Sequence, residues 1–220
     1  MTTQPTRITF VRHGHVHNPD NIVYGRLPGF HLSEMGREQA AATAERLATA
    51  EIAALFTSPQ LRARETAEIL KAHHPDLTIQ VSPLINETLC FFEGRPQEEV
   101  EARGWDLYTG IPEGYEMPED IAARGARFIR QVREAYAGRH VVAVTHGDVI
   151  AFTVLWAMGA RIHMSEKRTL HRFGVTDTYP ATGSLTTLGY STNGADDGPG
   201  DPPQLTYIRP YADDVTWASV

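Results

Sequence analysis

Two hydrophobic segments, far apart in the chain, each end on a histidine followed by a glycine. The first spans residues 7–14, is rich in β-branched and aromatic residues, and ends with Arg12 and His13 before the glycine. The second spans residues 138–147 and ends on His146. Ligands of open α/β sheets bind at the carboxyl ends of parallel strands, which lie about 5 Å apart. The pattern therefore predicts two neighbouring parallel strands whose histidines reach one small ligand.

Strand and helix patterns alternate through the first part of the sequence. After the first strand, a helix is predicted from an N-cap at Ser33 to about Ala50, followed by a strand at 52–57. Ser58 and Pro59 then show the N-cap and N1 pattern of a second helix. This order predicts an α/β fold with a mostly parallel sheet. Further strands are predicted at 77–81, 138–146, 183–190 and 204–209, and further helices at 119–136 and from Asp148 onwards.

A long segment rich in glycine, proline and aromatic residues interrupts this alternation at about residues 83–118. A connection of this length in a compact domain is usually functional or disordered, and its aromatic residues argue against disorder. We interpret it as a cap insertion over the sheet edge, with a short helix near 97–103. A second stretch rich in Gly, Pro and Asp, at about 191–203, is interpreted as a flexible surface loop. With 220 residues, the chain is most simply one domain spanning residues 1–220.

Composition and charge argue against several classes of partner. The formal net charge is −7, which disfavours nucleic-acid binding because that requires a basic surface. No apolar run has the length of a membrane span, so no membrane partner is expected. The N-terminus lacks a secretory pattern and Cys90 is the single cysteine, so we expect a cytoplasmic protein without internal disulfides. A local arginine cluster can still bind a small anion, because salt screens charges beyond about 10 Å.

The predicted sheet edge collects side chains that can carry positive charge. Arg62 lies one turn into the predicted second helix and can point back at the edge that carries Arg12, His13 and His146. Two like charges about 4 Å apart repel by about 4 kcal/mol at an effective dielectric constant of about 20. A bound phosphoryl group removes that repulsion, and phosphoryl transfer depends on such charge stabilisation. We therefore interpret the four residues as an anion site.

These segments resemble the histidine phosphatase superfamily, the phosphoglycerate-mutase-like proteins. The matching pieces occur in that family's order and cover about residues 7–190. They are Val-Arg-His-Gly at 11–14, residues 25–36, residues 58–67, Leu84-Ile-Asn-Glu87, Phe92-Glu-Gly94, Val144-Thr-His-Gly147 and Gly183-Ser-Leu-Thr. The resemblance implies a three-layer α/β/α sandwich with a mostly parallel central sheet and a small cap insertion.

The resemblance also implies roles for the matching residues, with His13, Glu87 and His146 as the catalytic set. His13 would attack phosphorus and become a phosphohistidine, while Glu87 would protonate the leaving alcohol and then deprotonate water. A lowered pKa of His13, or a backbone acceptor at its other ring nitrogen, would keep it neutral. No metal and no cofactor are implied, and the partner is a small phosphorylated substrate. The groups implied to hold the phosphoryl oxygens are Arg12, Arg62, His146, the Gly147 amide and Asn18, and the pocket residues are Tyr24, Gly25 and Phe91.

Departures from the family pattern favour hydrolysis over phosphoryl shuttling. The mutase signature of Trp-Asn followed by Gly-Trp is absent, and residues 24–26 stand in its place as Tyr-Gly-Arg. The cap is also shorter than expected of a mutase. Close to the nucleophile, His15 and Val16 replace the usual Glu or Gln and Thr or Ser, and Asn18 lies one residue early.

The sequence thus predicts a phosphomonoesterase, with three alternatives. The first is phosphoryl transfer of the phosphoglycerate-mutase type. The second is a zinc-dependent hydrolase using His13, His15 and His17, since alternating histidines can bind zinc; no Asp-His follows at the required spacing, and the arginines would oppose a cation. The third is a non-catalytic phosphate-binding module, although all the chemical groups are present. The physiological substrate and the oligomeric state stay open, with a homodimer as one option.

Overall fold

A six-stranded sheet forms the centre of the molecule in the computed structural model, which describes residues 4–191 and 202–211. The strands are β1 Thr6–Arg12, β2 Ile52–Thr57, β3 Ile79–Val81, β4 His140–Thr145, β5 Leu185–Tyr190 and β6 Gln204–Ile208. Their order in the sheet is β3-β2-β4-β1-β5-β6. The first four in that order are parallel, whereas β5 runs antiparallel to β1 and β6 antiparallel to β5. The prediction of a mostly parallel α/β sheet is confirmed.

Helices cover both faces of the sheet. They are α1 Glu34–Leu47, α2 Leu61–Lys71, the short α3 Gln97–Glu101, α4 Pro118–Ala135 and α5 Gly147–Ala157. Helices α1 and α2 share one hydrophobic core with Val11 and Val142 of the sheet. Helices α4 and α5 share another with Ile8, Phe10 and Ala143. Alternate residues of β1 and β4 thus point into opposite cores, as a strand with helices on both faces requires, and the result is three layers.

The central elements that lead into and out of His146 are almost completely buried. All six residues of β4 are buried, and in α5 only Trp156 is partly exposed. A strand buried on both faces and a helix that is apolar nearly all round are what their sequences predict. The histidine between them is therefore held by core packing.

The segment after β3 contains little regular structure. It begins with a 3₁₀ helix at Pro83–Ile85 and includes α3, close to the short helix predicted near 97–103. Its apolar side chains form a small core of their own, made of Val23, Cys90, Phe92 and Val100. Leu107 packs against both this small core and the main core, and the ring of the adjacent Tyr108 lies 5.5 Å from that of Phe152 in the main core. The division into a single domain with a cap at about 83–118 stays a prediction.

Some element boundaries differ from those predicted. Helix α1 ends at Leu47 instead of about Ala50, and β3 begins at Ile79 instead of residue 77. Helix α2 begins at Leu61 with Gln60 in the N-cap position, so the predicted N-cap at Ser58 with Pro59 at N1 is wrong. The Ser58 hydroxyl instead contacts His146, at 2.7 Å, which is a tertiary contact that no local pattern records.

Two predictions from the sequence concern a loop at about 191–203 and the absence of a membrane span. The loop predicted at about 191–203 falls, from residue 192 to residue 201, outside the described residues. Within the described ranges, no helix has both the length and the apolar character needed to cross a membrane.

Candidate active site

The two strands that end on histidines are neighbours in the sheet. Strands β1 and β4 pair in parallel, with Arg12 opposite Thr145. The His13 backbone N–H donates to the Thr145 carbonyl at 3.0 Å, which extends the pairing to the catalytic edge. The imidazole rings of His13 and His146 meet edge to face, with centroids 5.1 Å apart. The predicted neighbouring strands are thus observed, and a ligand shared by the two histidines stays a prediction.

His13 is held as a neutral imidazole with a defined orientation. Its Nδ1 lies 2.7 Å from the Gly14 carbonyl, so Nδ1 carries the proton and Nε2 carries the lone pair. Burial lowers the pKa of His13 well below its ordinary value, and the charges of Arg62, His146 and Arg12 lower it further. Gly14 is required here because a Cβ would meet the Gly36 carbonyl oxygen at 2.2 Å. The lowered pKa thus favours the neutral ring, with its lone pair on Nε2.

Arg62 is completely buried and joins the other groups of the site. Its Nε donates to His13 Nε2 at 3.2 Å, and its Nη2 donates to the Gly25 carbonyl at 2.8 Å. The same Nη2 forms an ion pair with Glu87 Oε2 at 3.0 Å. Its Nη1 is buried and has no hydrogen-bond partner. A buried N–H without a partner is costly, so this group is prepared for a further acceptor.

Arg12 presents a second cation from the end of β1. Its Nη1 donates to the Pro180 carbonyl at 2.9 Å, and its guanidinium lies 5.4 Å from the centre of the Tyr179 ring. Its Nε is buried without a hydrogen-bond partner, as is Nη1 of Arg62. Both guanidinium groups thus have an unused buried donor, and groups of this kind suit a tetrahedral anion because they donate charge-assisted hydrogen bonds.

His146 is oriented by two neighbours. Its Nδ1 lies 3.0 Å from Glu87 Oε2, and its Nε2 lies 2.7 Å from the Ser58 hydroxyl. Because the carboxylate can only accept, Nδ1 carries the proton and Ser58 donates to Nε2. Burial lowers the pKa of His146 to about 4, against the raising effect of Glu87. His146 is therefore a neutral imidazole whose Nδ1–H is directed at the Glu87 carboxylate.

Glu87 joins the same cluster of side chains and lines the cavity. Its Oε2 contacts Arg62 and His146, and its Oε1 accepts the Thr88 backbone N–H at 2.8 Å. Burial raises its pKa, but His146 and Arg62 outweigh burial and hold the pKa well below the ordinary value. A dianionic phosphoryl group bound to the same donors would replace these stabilising contacts with repulsion. Substrate binding would then raise the pKa of Glu87 and favour its acid form.

Gly147, Tyr24 and Gly25 also line the cavity beside His13, and their contacts with a ligand stay predictions. Gly147 is the first residue of α5, where the helix dipole favours an anion, and a Cβ there would meet the Tyr179 hydroxyl at 2.2 Å. The Tyr24 ring lies 4.7 Å from the guanidinium carbon of Arg62. A Cβ at Gly25 would meet the Glu93 carboxylate at 2.3 Å, so close packing explains both glycine positions.

Two predicted residues lie elsewhere. The Asn18 amide bonds to the backbone N–H and carbonyl of Ile22 at 3.3 and 3.0 Å, which closes a turn. The Phe91 ring packs on Phe92 and under the Arg95 guanidinium, 4.1 Å from its carbon. Neither residue lines the cavity. Asn18 as a phosphate contact and Phe91 as a pocket wall are therefore not supported by the structure.

Sequence reasoning missed a buried network beneath the cavity wall. The Asp148 carboxylate accepts hydrogen bonds from Tyr108, from Tyr179 at 2.7 Å and from Lys167 at 3.0 Å. Tyr179 in turn lies over Arg12. The aromatic and charged residue types gave no signal, because their partners are 19 to 40 residues away in the chain.

The zinc alternative based on His13, His15 and His17 is not supported. His15 Nδ1 bonds to the Ser33 hydroxyl at 2.8 Å, and the His17 ring stacks on His31 with centroids 5.1 Å apart. In the described part of the chain, neither His15 nor His17 belongs to a group of side chains that could share a metal ion with His13.

A different group could geometrically hold a metal ion. In the described part of the chain, ligand atoms of His13, Glu87 and His146 lie within 4.8 Å of one another. The Arg62 guanidinium, however, contacts an atom of each of these three side chains at 3.0 to 3.3 Å. A cation would have to displace it against like-charge repulsion, so these residues fit an anion and not a metal.

The fold and the site together define an α/β protein with a histidine–arginine anion site at the carboxyl edge of its sheet. The chain belongs to the histidine phosphatase superfamily (branch 1), whose family model matches residues 8–191. The resemblance inferred from the ordered motifs is confirmed.

Individual relatives agree with this membership. The uncharacterized protein Rv0525 of Mycobacterium tuberculosis is 39% identical over 172 residues, which are 75% of this chain and 85% of that protein. The metal-independent phosphoserine phosphatase of Arabidopsis thaliana is 29% identical over 162 residues, or 68% of each chain. The native structure of mycobacterial glucosyl-3-phosphoglycerate phosphatase Rv2419c superimposes with a TM-score of 0.70 at 23% identity, covering 93% of this chain and 97% of that one. The last comparison supports the fold alone.

Proposed function

We propose that the protein is a metal-independent phosphomonoesterase that hydrolyses a small phosphorylated metabolite through a phosphohistidine on His13. The observation that carries this proposal is the fixed orientation of His13. Its Nδ1 is held by the Gly14 carbonyl, and its Nε2 is directed at donors of Arg62. Phosphatases among the relatives, and the family itself, support the same reaction class.

In the first step, His13 Nε2 attacks phosphorus and the bond from phosphorus to the ester oxygen breaks. The leaving oxygen takes a proton from Glu87, so the alcohol departs neutral. Arg12, Arg62 and the His146 N–H hold the three non-bridging oxygens, and their charge balances that of the transition state. The positive charge that develops on the His13 ring is stabilised by the Gly14 carbonyl at Nδ1.

In the second step, the Glu87 carboxylate removes a proton from a water molecule. The oxygen of that water attacks phosphorus, the nitrogen–phosphorus bond breaks, and the electron pair returns to Nε2. Inorganic phosphate leaves, and His13 and protonated Glu87 are restored for the next cycle. One carboxylate serves both steps because the leaving oxygen and the attacking water occupy the same side of phosphorus.

The proposal is tested by incubating the purified protein with 4-nitrophenyl phosphate in excess chelator and measuring released phosphate. We expect full activity in the chelator and a stoichiometric release of phosphate and alcohol. Activity that disappears on chelation and returns with zinc would overturn metal independence. Binding of phosphate without any turnover would overturn the enzymatic proposal in favour of a phosphate-binding module.

A further inference from the structure

The proposed general acid lies on irregular backbone. His13 and His146 directly follow the paired strands β1 and β4, whereas residues 86–90, around Glu87, belong to no helix or strand. The backbone groups of such a segment find their hydrogen-bond partners in side chains and loops instead of in a ladder. The side chains that bond to this backbone therefore help to determine where the Glu87 carboxylate lies.

Glu116 bonds to this segment two residues after the general acid. Its Oε2 accepts the Leu89 backbone N–H at 2.8 Å, and its own backbone N–H donates to the Leu89 carbonyl at 3.2 Å. Glu116 lies two residues before Pro118, the first residue of α4, and α4 contributes Ile121 and Phe128 to the main core. The segment is thus tied to the start of a helix that packs in that core.

Two arginines connect the Glu116 carboxylate with carbonyl groups of the same segment. Arg26 Nη2 donates to Glu116 Oε2 at 2.7 Å, and Arg26 Nε donates to the Glu87 carbonyl at 2.6 Å. Arg124 Nε donates to Glu116 Oε1 at 2.9 Å, and Arg124 Nη1 donates to the Leu84 carbonyl at 3.0 Å. The backbone is therefore bonded before, at and after the general acid, and Glu116 is the residue that all of these contacts share.

This network does not belong to the wall of the substrate cavity. Neither Glu116 nor Arg26 nor Arg124 lines the cavity beside His13. Their side chains are 12 to 27% exposed, so they are largely sheltered from solvent. A change in the network therefore reaches the reaction through the backbone that carries Glu87 and not through a contact with the substrate.

We propose that Glu116 is a positioning residue for the general acid: together with Arg26 and Arg124 it holds the backbone around Glu87 so that the Glu87 carboxylate reaches the leaving oxygen. This inference rests on the proposed phosphatase function. A misplacement of about 1 Å can slow a reaction on the order of 100-fold, because proton transfer requires hydrogen-bond distance. A step that needs the acid should therefore depend on Glu116, and a step that does not need it should not.

The test compares phosphorylation of the enzyme by two substrates in single-turnover experiments. Hexyl phosphate has a leaving group that must be protonated, whereas 4-nitrophenol leaves readily as an anion. Glu116→Gln keeps the length of the side chain but replaces one acceptor oxygen by an N–H donor. Phosphorylation by hexyl phosphate should slow by about 10- to 100-fold, and phosphorylation by 4-nitrophenyl phosphate should stay within about twofold of wild type. The matched control is Glu99→Gln, which removes an exposed carboxylate of the cap that pairs with Arg95 at 2.8 Å, and it should leave both rates unchanged.

A second variant, Arg26→Met, separates position from charge. It removes a positive charge, whereas Glu116→Gln removes a negative charge, so an electrostatic effect on the pKa of Glu87 would have opposite signs in the two variants. If position is the cause, both variants slow phosphorylation by hexyl phosphate selectively. Opposite changes in this rate would overturn the positioning role. If Glu116→Gln does not fold, Arg26→Met carries the same comparison, and a loss that is equal for both substrates would overturn the proposal.

A double-mutant cycle with Glu87→Gln distinguishes positioning from a general structural role. The acid is already lost in Glu87→Gln, so adding Glu116→Gln should change the rate with hexyl phosphate by less than about twofold. A further loss of about tenfold in the double variant would overturn the proposal, because it would show an effect that does not pass through Glu87. Turnover of both substrates by the wild-type protein would still support the proposed function in that case. Failure of the wild-type protein to hydrolyse either substrate would overturn the proposed function itself.

Discussion

In the free protein, Arg62 Nε donates a hydrogen bond to His13 Nε2 at 3.2 Å. In the proposed mechanism this nitrogen attacks phosphorus, so in the free protein its lone pair is engaged by a cation that would also bind the phosphoryl group. An entering phosphoryl group offers this N–H a better, charged acceptor. Binding of the substrate then releases the lone pair at the moment when phosphorus arrives beside it.

Replacing Arg62 by lysine should separate the effect of its positive charge from the effect of its hydrogen bonds. A lysine keeps the positive charge but cannot contact His13, Gly25 and Glu87 at once, as the guanidinium does. We expect kcat/KM for 4-nitrophenyl phosphate to fall on the order of 100-fold, with weaker binding of inorganic phosphate as an inhibitor. Arg64→Lys, at an exposed position of the same helix, is the matched control and should behave as wild type. A wild-type rate in Arg62→Lys would show that charge alone suffices.

Glu87→Gln should slow the first step in proportion to how poor the leaving group is. Hexyl alcohol needs a proton from the general acid, whereas 4-nitrophenol leaves readily as an anion. In single-turnover experiments, phosphorylation by hexyl phosphate should slow by about 10² to 10⁴-fold, and phosphorylation by 4-nitrophenyl phosphate far less. Steady-state rates would hide this difference, because the second step needs Glu87 as base for every substrate. Equal slowing of both phosphorylation rates would exclude Glu87 as the acid, and Glu98→Gln is the exposed control.

Buried histidines should make the protein less stable in acid. Burial, with the charges of Arg7 and His74, lowers the pKa of His140 from 6.5 to about 4. Between these values the unfolded chain binds a proton that the folded protein does not, so the free energy of unfolding decreases as pH falls from about 6.5 to about 4. The difference corresponds to about 3 kcal/mol for this residue.

Urea denaturation at pH 7 and pH 4.5 measures this effect. His140→Gln keeps a group that can bond to the Thr9 hydroxyl, which lies 2.8 Å from Nε2 in the wild-type protein, but it removes the titration. Its loss of stability between the two pH values should therefore be smaller by about 2 to 3 kcal/mol. His73→Gln, at an exposed position, is the control. An unchanged pH dependence of stability in His140→Gln would contradict the claim that His140 contributes to the loss of stability in acid.

Much of the fold could be predicted from the sequence, because local patterns carry it. The strand at 52–57 and the Ser33 N-cap, whose side chain accepts the Gly36 N–H, were placed correctly from periodicity and capping chemistry alone. The start of α2 was not placed correctly. Ser58 and Pro59 satisfy the local rules for a helix start, but the Ser58 hydroxyl hydrogen-bonds to His146 and the helix begins at Leu61. Tertiary contacts of this kind override local preference.

The candidate site could likewise be predicted only in part from the sequence. His13 and His146 could be brought together from the sequence, since two similar strand ends and sheet geometry are enough. The Asp148 network could not be predicted, because it depends on side chains that are 19 to 40 residues away in the chain. The prediction of Asn18 as a phosphate contact lacks support for a related reason. Its distance from His13 along the chain resembles that of a phosphate ligand, but its amide forms hydrogen bonds with the backbone of Ile22 in a local turn.

The most direct test of the account is to trap the phosphorylated enzyme. The protein is mixed with radiolabelled 4-nitrophenyl phosphate, quenched in alkali within milliseconds, and digested to locate the label. We predict an alkali-stable, acid-labile phosphoryl group on the peptide that carries His13, none in His13→Ala, and normal labelling in His17→Ala, at an exposed loop position. Full turnover by His13→Ala, or a label on another residue, would contradict the central claim that His13 is the nucleophile.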